Sequence, residues 1–124
     1  MNSNFNRNDK NTNLSFYKEK VNNFVKKRNW GQYHTPENII QAMNIELAEL
    51  SELFLFKNLK KNEIYQNDEL LKNIKEEITD VFIYLISFIN SLEIDLTSAF
   101  IEKMKKNRKK YPTEEFNDGV YYKK

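Results

Sequence analysis

The scarcity of turn-forming residues is the strongest constraint on the fold of this chain. Its 124 residues include only two glycines and two prolines. A fold of many short strands needs frequent turns, and turns depend on these residue types. The sequence therefore predicts an all-α fold, with long helices and few connections. A chain of this length fits one domain with a modest core.

Apolar residues recur at helical spacing in four segments. We expect helices at about residues 14–29, 36–57, 68–92 and 96–111. Thr35 and Asp95 are good N-caps, and Pro36 stands at the first helical position, where its missing N–H costs nothing. Pro112 ends the last helix because the residue before proline avoids helical backbone angles. The polar stretch NLKKNEIYQND forms the main predicted loop.

The sequence predicts one helical domain between two tails. Residues 1–13 contain six asparagines and few apolar side chains, so we expect a disordered tail. The domain itself spans residues 14–112, and residues 113–124 form a C-terminal tail. Within the third helix, VFIYLISFINSL is apolar on nearly every side, which indicates burial centrally or between subunits. We therefore expect four to five helices in a bundle that assembles as a helical oligomer.

Carboxylates stand on the apolar face of the second predicted helix. At about 100° per residue, Glu46 lies in the middle of the stripe formed by Ile39 and Leu53. Glu49 is at the edge of this stripe, and Glu52 points further outward. Only Glu46 and Glu49 therefore form an inward pair.

The third predicted helix repeats this arrangement. Glu77 lies on the face that carries Leu70 and Tyr84, Asp80 follows at the edge, and Glu76 points elsewhere. Burying unpaired carboxylates costs several kcal/mol or forces their protonation. A hard divalent cation is the usual remedy, and Mg²⁺ prefers oxygen ligands that it shares with substrate phosphates. Mn²⁺ is the alternative cation. The plainer interpretation is that these residues form solvated helix faces in salt bridges with lysines.

Other composition features narrow the class of protein. A ferritin-like di-iron site needs Glu-x-x-His twice, whereas His34 is the only histidine and lies outside both helices. There is no cysteine, no apolar run long enough to span a membrane, and no signal-peptide core in the first 20 residues. A cytoplasmic protein without a membrane partner is expected.

The fourth predicted helix is basic. Lys103 and Asn107 share its apolar stripe, while the other cations of KMKKNRKK point outward. An inward ammonium group facing carboxylates and a cation suits phosphate binding. A net charge of +2 is too small to indicate a nucleic-acid partner. Two alternatives remain, a nucleic-acid-binding helical protein and a non-catalytic oligomeric bundle.

Four pieces of the chain form a specific series: RNWGQYHTPEN at 28–38, IELAELSELF at 45–54, EEITDVFIYL at 76–85 and IEKMKKNRKKYP at 101–112. Together they resemble the MazG-like, all-α nucleoside triphosphate pyrophosphohydrolases, and most of all their dCTP-pyrophosphatase branch. The resemblance implies a dimer or tetramer that cleaves nucleoside triphosphates between the α- and β-phosphates. The implied metal ligands and catalytic carboxylates are Glu46, Glu49, Glu77 and Asp80.

The resemblance also implies substrate contacts. Lys103, Asn107 and Tyr111 match positions that contact phosphate or sugar, and Lys103 counts among the catalytic residues. The base-pocket positions are matched by Trp30, His34, Phe56 and Tyr84. Two residues depart from the family pattern. Ile45 replaces a glutamate that many MazG proteins have, and Phe56 replaces a tryptophan, which leaves the base preference open. The W-x-Q-[FY]-H piece argues against a phosphoribosyl-ATP pyrophosphatase.

Overall fold

A computed structural model describes residues 6–124, and all regular secondary structure in that range is helical. The elements are α1 (Leu14–Lys27), a 3₁₀ turn (Gly31–Tyr33), α2 (Pro36–Glu52), α3 (Lys61–Gln66), α4 (Asp68–Ser91) and α5 (Leu96–Lys110). The prediction of an all-α fold with four to five helices is confirmed. None of these helices alone has both the length and the apolar composition needed to cross a membrane. The pair α4 and α5 meets both conditions only when the two helices are taken together.

Polar side chains begin four of the five helices, as their residue types predict. Asn13, Thr35, Asn67 and Asp95 are N-caps, and each side chain accepts a hydrogen bond from the backbone N–H three residues later. Such caps satisfy N–H groups that have no partner inside the helix.

The chain forms two compact units, Met1–Leu92 and Glu93–Lys124. In the first unit α4 is the central element and packs against α1, α2 and α3. Its described core is small, and the buried apolar side chains are Ile39, Leu70, Ile86 and Ile89. The second unit contains α5 and the segment that follows it. The predicted 14–112 domain therefore includes parts of both units.

The second helix ends earlier than its apolar pattern predicts. It stops at Glu52 instead of about Lys57, and the next residues form turns closed by hydrogen bonds between residues three apart. Phe56 and Asn58 adopt left-handed backbone angles, with φ of 60° and 48°. Left-handed residues cannot continue a right-handed helix. The predicted loop also contains the short helix α3.

Part of the predicted N-terminal tail makes local contacts. Residues 1–5 of the predicted disordered tail lie outside the described residues. Residues 6–13 form a hydrogen-bonded turn, in which the Asn8 backbone N–H donates to the Asn11 side chain at 2.9 Å. The guanidinium group of Arg7 lies 4.2 Å from the Phe16 ring centre. Local side-chain hydrogen bonds and this cation–π contact explain the order, because asparagine readily closes turns on itself.

Candidate active site

Packing of α2 against α4 brings the predicted metal ligands together. One carboxylate oxygen from each of Glu46, Glu77 and Asp80 lies within 4.8 Å of the others. Glu49 interacts with the carboxyl groups of both Glu46 and Glu77. Glu46 and Glu77 are half-buried, whereas Glu49 and Asp80 are more exposed. We call these four residues the carboxylate cluster.

The environment of the cluster opposes full ionisation. Burial, which is the largest cause, the hydrogen bond with Glu49 and the neighbouring negative charges together raise the pKa of Glu46 to about 7. The pKa of Glu77 is also raised, first by burial, then by Glu49 and by the charge of Asp80. Both shifts have the same physical basis, because burial and nearby like charges each favour the neutral carboxyl group.

Two oxygens of the cluster have no partner. Glu46 Oε2 and Glu77 Oε2 are buried and accept no hydrogen bond from any residue between 6 and 124. In the same range, no lysine or arginine forms an ion pair with the cluster. These orphaned oxygens contradict the salt-bridge interpretation. They fit a hard divalent cation, which takes several oxygen ligands and neutralises their charge.

An aromatic cavity of about 630 Å³ adjoins the cluster, and Glu46 and Asp80 belong to its lining. It is lined by three residues that the sequence predicts for substrate binding, Trp30, His34 and Tyr84. Carboxylates and aromatic rings therefore share one cavity. Flat rings beside charged oxygens can hold a base while phosphates face the carboxylates.

Three further aromatic residues of this cavity were not predicted. Tyr17 and Phe24 come from α1 and Phe82 from α4. Tyr17 meets Phe82 edge to face with ring centres 5.1 Å apart, and Phe24 meets Trp30 at 5.7 Å. Their helical spacing is also typical of ordinary core residues. The sequence therefore gives no signal that separates a cavity wall from a packed core.

A helix-ending motif places Trp30 at the cavity. Asn29 takes a left-handed conformation with φ of 55°. Its N–H donates to the Lys26 carbonyl at 3.1 Å, and the Trp30 N–H donates to the Val25 carbonyl at 3.1 Å. These two bonds define a Schellman motif, which often carries an apolar contact across it. The contact between Phe24 and Trp30 fills that role.

A backbone hydrogen bond fixes the ring of His34. Its Nδ1 lies 2.8 Å from the carbonyl oxygen of Trp30. A carbonyl oxygen can only accept, so Nδ1 carries the proton and donates. In the neutral ring, Nε2 is then an acceptor on a side chain that lines the cavity.

The structure does not bring every predicted site residue to this cavity. Phe56 is 94% exposed and is not part of the cavity lining, so its place in a base pocket stays a prediction. Lys103 and Asn107 lie on α5, in the second unit. Tyr111 caps α5, and its hydroxyl accepts a hydrogen bond from the Lys124 backbone N–H at 2.9 Å. The roles of these three residues also stay predictions.

Comparison with known proteins shows the family to which this chain belongs. The MazG-like family model matches residues 41–122, a range that contains the whole carboxylate cluster. The chain belongs to the MazG-like family. The family resemblance inferred from the four sequence pieces is thereby confirmed.

Named relatives of this MazG-like chain are pyrophosphatases. It is 37% identical over 91 residues to dCTP pyrophosphatase 1 of Rattus norvegicus, and 34% identical over 90 residues to that of Homo sapiens. Each alignment covers 72% of this chain and 53% of the relative. The chain thus spans about half the length of the curated relatives it matches. A pyrophosphatase from Archaeoglobus fulgidus has a similar structure, with a TM-score of 0.72 and 34% identity over 80% of this chain and 92% of that one.

Proposed function

We propose that this chain is a nucleotide pyrophosphohydrolase that depends on a divalent cation. It cleaves a (d)NTP, in our proposal a pyrimidine dNTP such as dCTP or a modified form, into a nucleoside monophosphate and pyrophosphate. The observation that carries the proposal is the pair of orphaned oxygens on Glu46 and Glu77, beside an aromatic cavity. The names of the relatives support the choice of dCTP. A non-catalytic bundle or a nucleic-acid-binding protein would leave these oxygens unexplained.

The carboxylate cluster would hold the cation. Glu46, Glu49, Glu77 and Asp80 supply only oxygen ligands, which suits Mg²⁺ and, as an alternative, Mn²⁺. When bound, the cation supplies charge neutralisation for the phosphates and makes water more acidic. Without it, the cluster would repel a triphosphate.

The aromatic cavity would hold the base. Trp30 and Tyr84 offer rings on which a base can stack, and His34 offers an acceptor at Nε2. An acceptor suits the exocyclic amino group of cytosine better than the carbonyl group of uracil. Phe56 would add a further ring once a partner subunit covers it.

The reaction needs a positioned water molecule and little covalent help from the protein. The water oxygen forms a bond to the α-phosphorus while the bond to the α,β-bridging oxygen breaks, and pyrophosphate leaves with that oxygen. Glu49, a more exposed member of the cluster, accepts the proton of the water, with Glu46 as the alternative base. Lys103 would stabilise the leaving pyrophosphate, and Asn107 and Tyr111 would contact phosphate or sugar.

We further propose that the protein is a cytoplasmic homodimer or homotetramer without nucleic-acid or membrane partners. Many large apolar side chains of α2 and the following turn are exposed, including Ile45, Leu47, Leu55 and Phe56. Monomeric proteins rarely leave large contiguous apolar patches in water. A second copy of the chain would cover them.

A substrate panel tests the proposal. Purified protein is incubated with the common dNTPs and NTPs in Mg²⁺, in Mn²⁺ and with a chelator, and the products are separated. We expect monophosphate and pyrophosphate with either cation, the highest kcat/KM for a pyrimidine dNTP, and no turnover with the chelator. Release of orthophosphate from the triphosphate, or no turnover with any nucleotide, would contradict the proposal.

A further inference from the structure

Ser87 is a buried polar residue that the proposed chemistry does not use. It lies in the C-terminal part of α4 and is only 7% exposed. Its hydroxyl forms no hydrogen bond with any residue between 6 and 124. Its oxygen is not among the fully buried atoms without a partner, so it is accessible from the cavities that the residue lines.

The other hydroxyl residues of α4 behave differently. Thr79 donates to the Lys75 carbonyl, and Ser91 donates to the Phe88 carbonyl at 2.7 Å. Such bonds to the preceding turn are the usual way in which a helical hydroxyl is satisfied. The Ser87 hydroxyl makes no such bond, so it is free to bind a group from outside the protein.

Ser87 stands between two cavities. It lines the aromatic cavity and also a smaller cavity of about 210 Å³, and Val21, Val25 and His34 line both as well. The rest of the smaller cavity is polar, with Asn22, Asn90 and Ser91 among its residues. Asn90 also fixes α4 to α1, because its side-chain N–H donates to the Lys18 carbonyl at 3.1 Å. The aromatic cavity therefore continues into a polar end.

Helix geometry sets the distance between this end and the carboxylate cluster. Asp80 and Ser87 are seven residues apart on α4, which is about 10 Å along the axis. Tyr84 lies between them and lines the same cavity. Phosphates at Asp80 and a base stacked near Tyr84 would direct the far edge of the base toward Ser87.

We infer that Ser87 is a specificity-determining residue whose hydroxyl hydrogen-bonds the exocyclic group at position 4 of a pyrimidine base. The inference rests on the proposed function and deepens it. A hydroxyl both donates and accepts, so it serves the amino group of cytosine and the carbonyl oxygen of uracil. Ser87 thus selects for bases with a substituent at position 4, while His34 distinguishes cytosine from uracil.

The test compares Ser87→Ala with wild type on dCTP, dUTP and the 2-pyrimidinone deoxynucleoside triphosphate, which lacks the position-4 substituent. We expect KM to rise about 2- to 10-fold for dCTP and dUTP, the effect of one neutral hydrogen bond. KM for the pyrimidinone nucleotide and kcat for all three should be nearly unchanged. Ser15→Ala, an exposed serine of α1 outside both cavities, is the matched control.

Thermal unfolding without nucleotide separates a binding role from a structural one. Because the hydroxyl bonds to none of the described residues, Ser87→Ala should unfold at the wild-type temperature or above it. A clearly lower unfolding temperature would mean that the hydroxyl supports the fold, and would overturn the inference. An equal rise in KM for all three nucleotides, or none for any, would overturn it as well.

A binding readout keeps this inference separate from the proposed reaction. Calorimetry with the non-hydrolysable α,β-imido analogues of dCTP and of the pyrimidinone nucleotide, in Mg²⁺, needs no turnover. A 2- to 10-fold loss of affinity confined to the dCTP analogue supports the role of Ser87 even if wild type proves inactive. If wild type is active and Ser87→Ala binds both analogues with wild-type affinity, only this inference is contradicted.

Discussion

At the residue scale, four carboxylates in one site are the basis of the proposed chemistry. Two of them contribute buried oxygens that have no hydrogen-bond partner among residues 6–124, and their pKa values rise because burial and neighbouring charges disfavour ionisation. A cation with oxygen ligands removes both problems. Individual substitutions at the cluster should therefore separate function from folding.

Neutral isosteres at the exposed edge of the cluster should abolish turnover without unfolding the protein. We expect Glu49→Gln and Asp80→Asn to lower kcat by on the order of 100-fold or more, because electrostatic stabilisation of the reacting phosphate is lost. The helical circular dichroism signal should remain. Glu52→Gln, on an exposed residue of α2, is the matched control and should keep wild-type kcat. Global unfolding of both cluster variants would instead indicate a structural role.

The raised pKa of Glu46 predicts the pH dependence of the cation-free protein. The folded state holds this proton more tightly than the unfolded state, so the stabilising contribution is full below about pH 4.5 and is lost as pH rises through about 7. With a chelator present, the unfolding temperature should fall between pH 5 and pH 8. The Glu46→Gln variant should show a flatter profile, and identical profiles for the two proteins would contradict this explanation.

At the element scale, helix ends determine which side chains reach the cavity. The Schellman motif after α1 directs Trp30 toward Phe24, and it requires a left-handed Asn29. Asn29→Ala should lower the free energy of unfolding by about 1 to 2 kcal/mol, because alanine lacks the short polar side chain that lets asparagine adopt this conformation. Urea denaturation measures the change, and KM for the nucleotide should rise as Trp30 shifts. Asn29→Gly should be tolerated, and Asn23→Ala, on exposed α1 surface, is the control.

The sequence predicts the helices better than it predicts which side chains line the cavity between them. Helix caps and apolar periodicity predicted most helix bounds closely. The predicted positions of Glu46 and Glu77 on the apolar helix faces agree with their partial burial. The early end of α2 at Glu52 was missed because apolar residues continue to Phe56 through a change in backbone conformation. Tyr17 and Ser87 were missed as cavity residues because periodicity does not distinguish a cavity wall from a core.

At the scale of the whole molecule, the exposed apolar surface predicts self-association. Only four large apolar side chains between residues 6 and 124 are buried, whereas Leu55 and Phe56 in the turn after α2 are open to solvent. Sedimentation equilibrium should give at least twice the 15.0 kDa of one chain. A carboxylate in the interface should weaken assembly. Leu55→Asp should therefore lower the mass of the sedimenting species, while Gln66→Asp should leave it unchanged. A wild-type protein that sediments as a single chain would contradict this expectation.

The central claim is that the carboxylate cluster directs water to the α-phosphorus of a nucleotide. Hydrolysis of dCTP in ¹⁸O-labelled water, with Mg²⁺ and a single turnover per enzyme, tests it most directly by mass spectrometry of both products. We predict one ¹⁸O atom in dCMP and none in pyrophosphate, with product formation slowed by on the order of 100-fold or more in Asp80→Asn. Label in the pyrophosphate, or turnover at the wild-type rate in Asp80→Asn, would contradict the account.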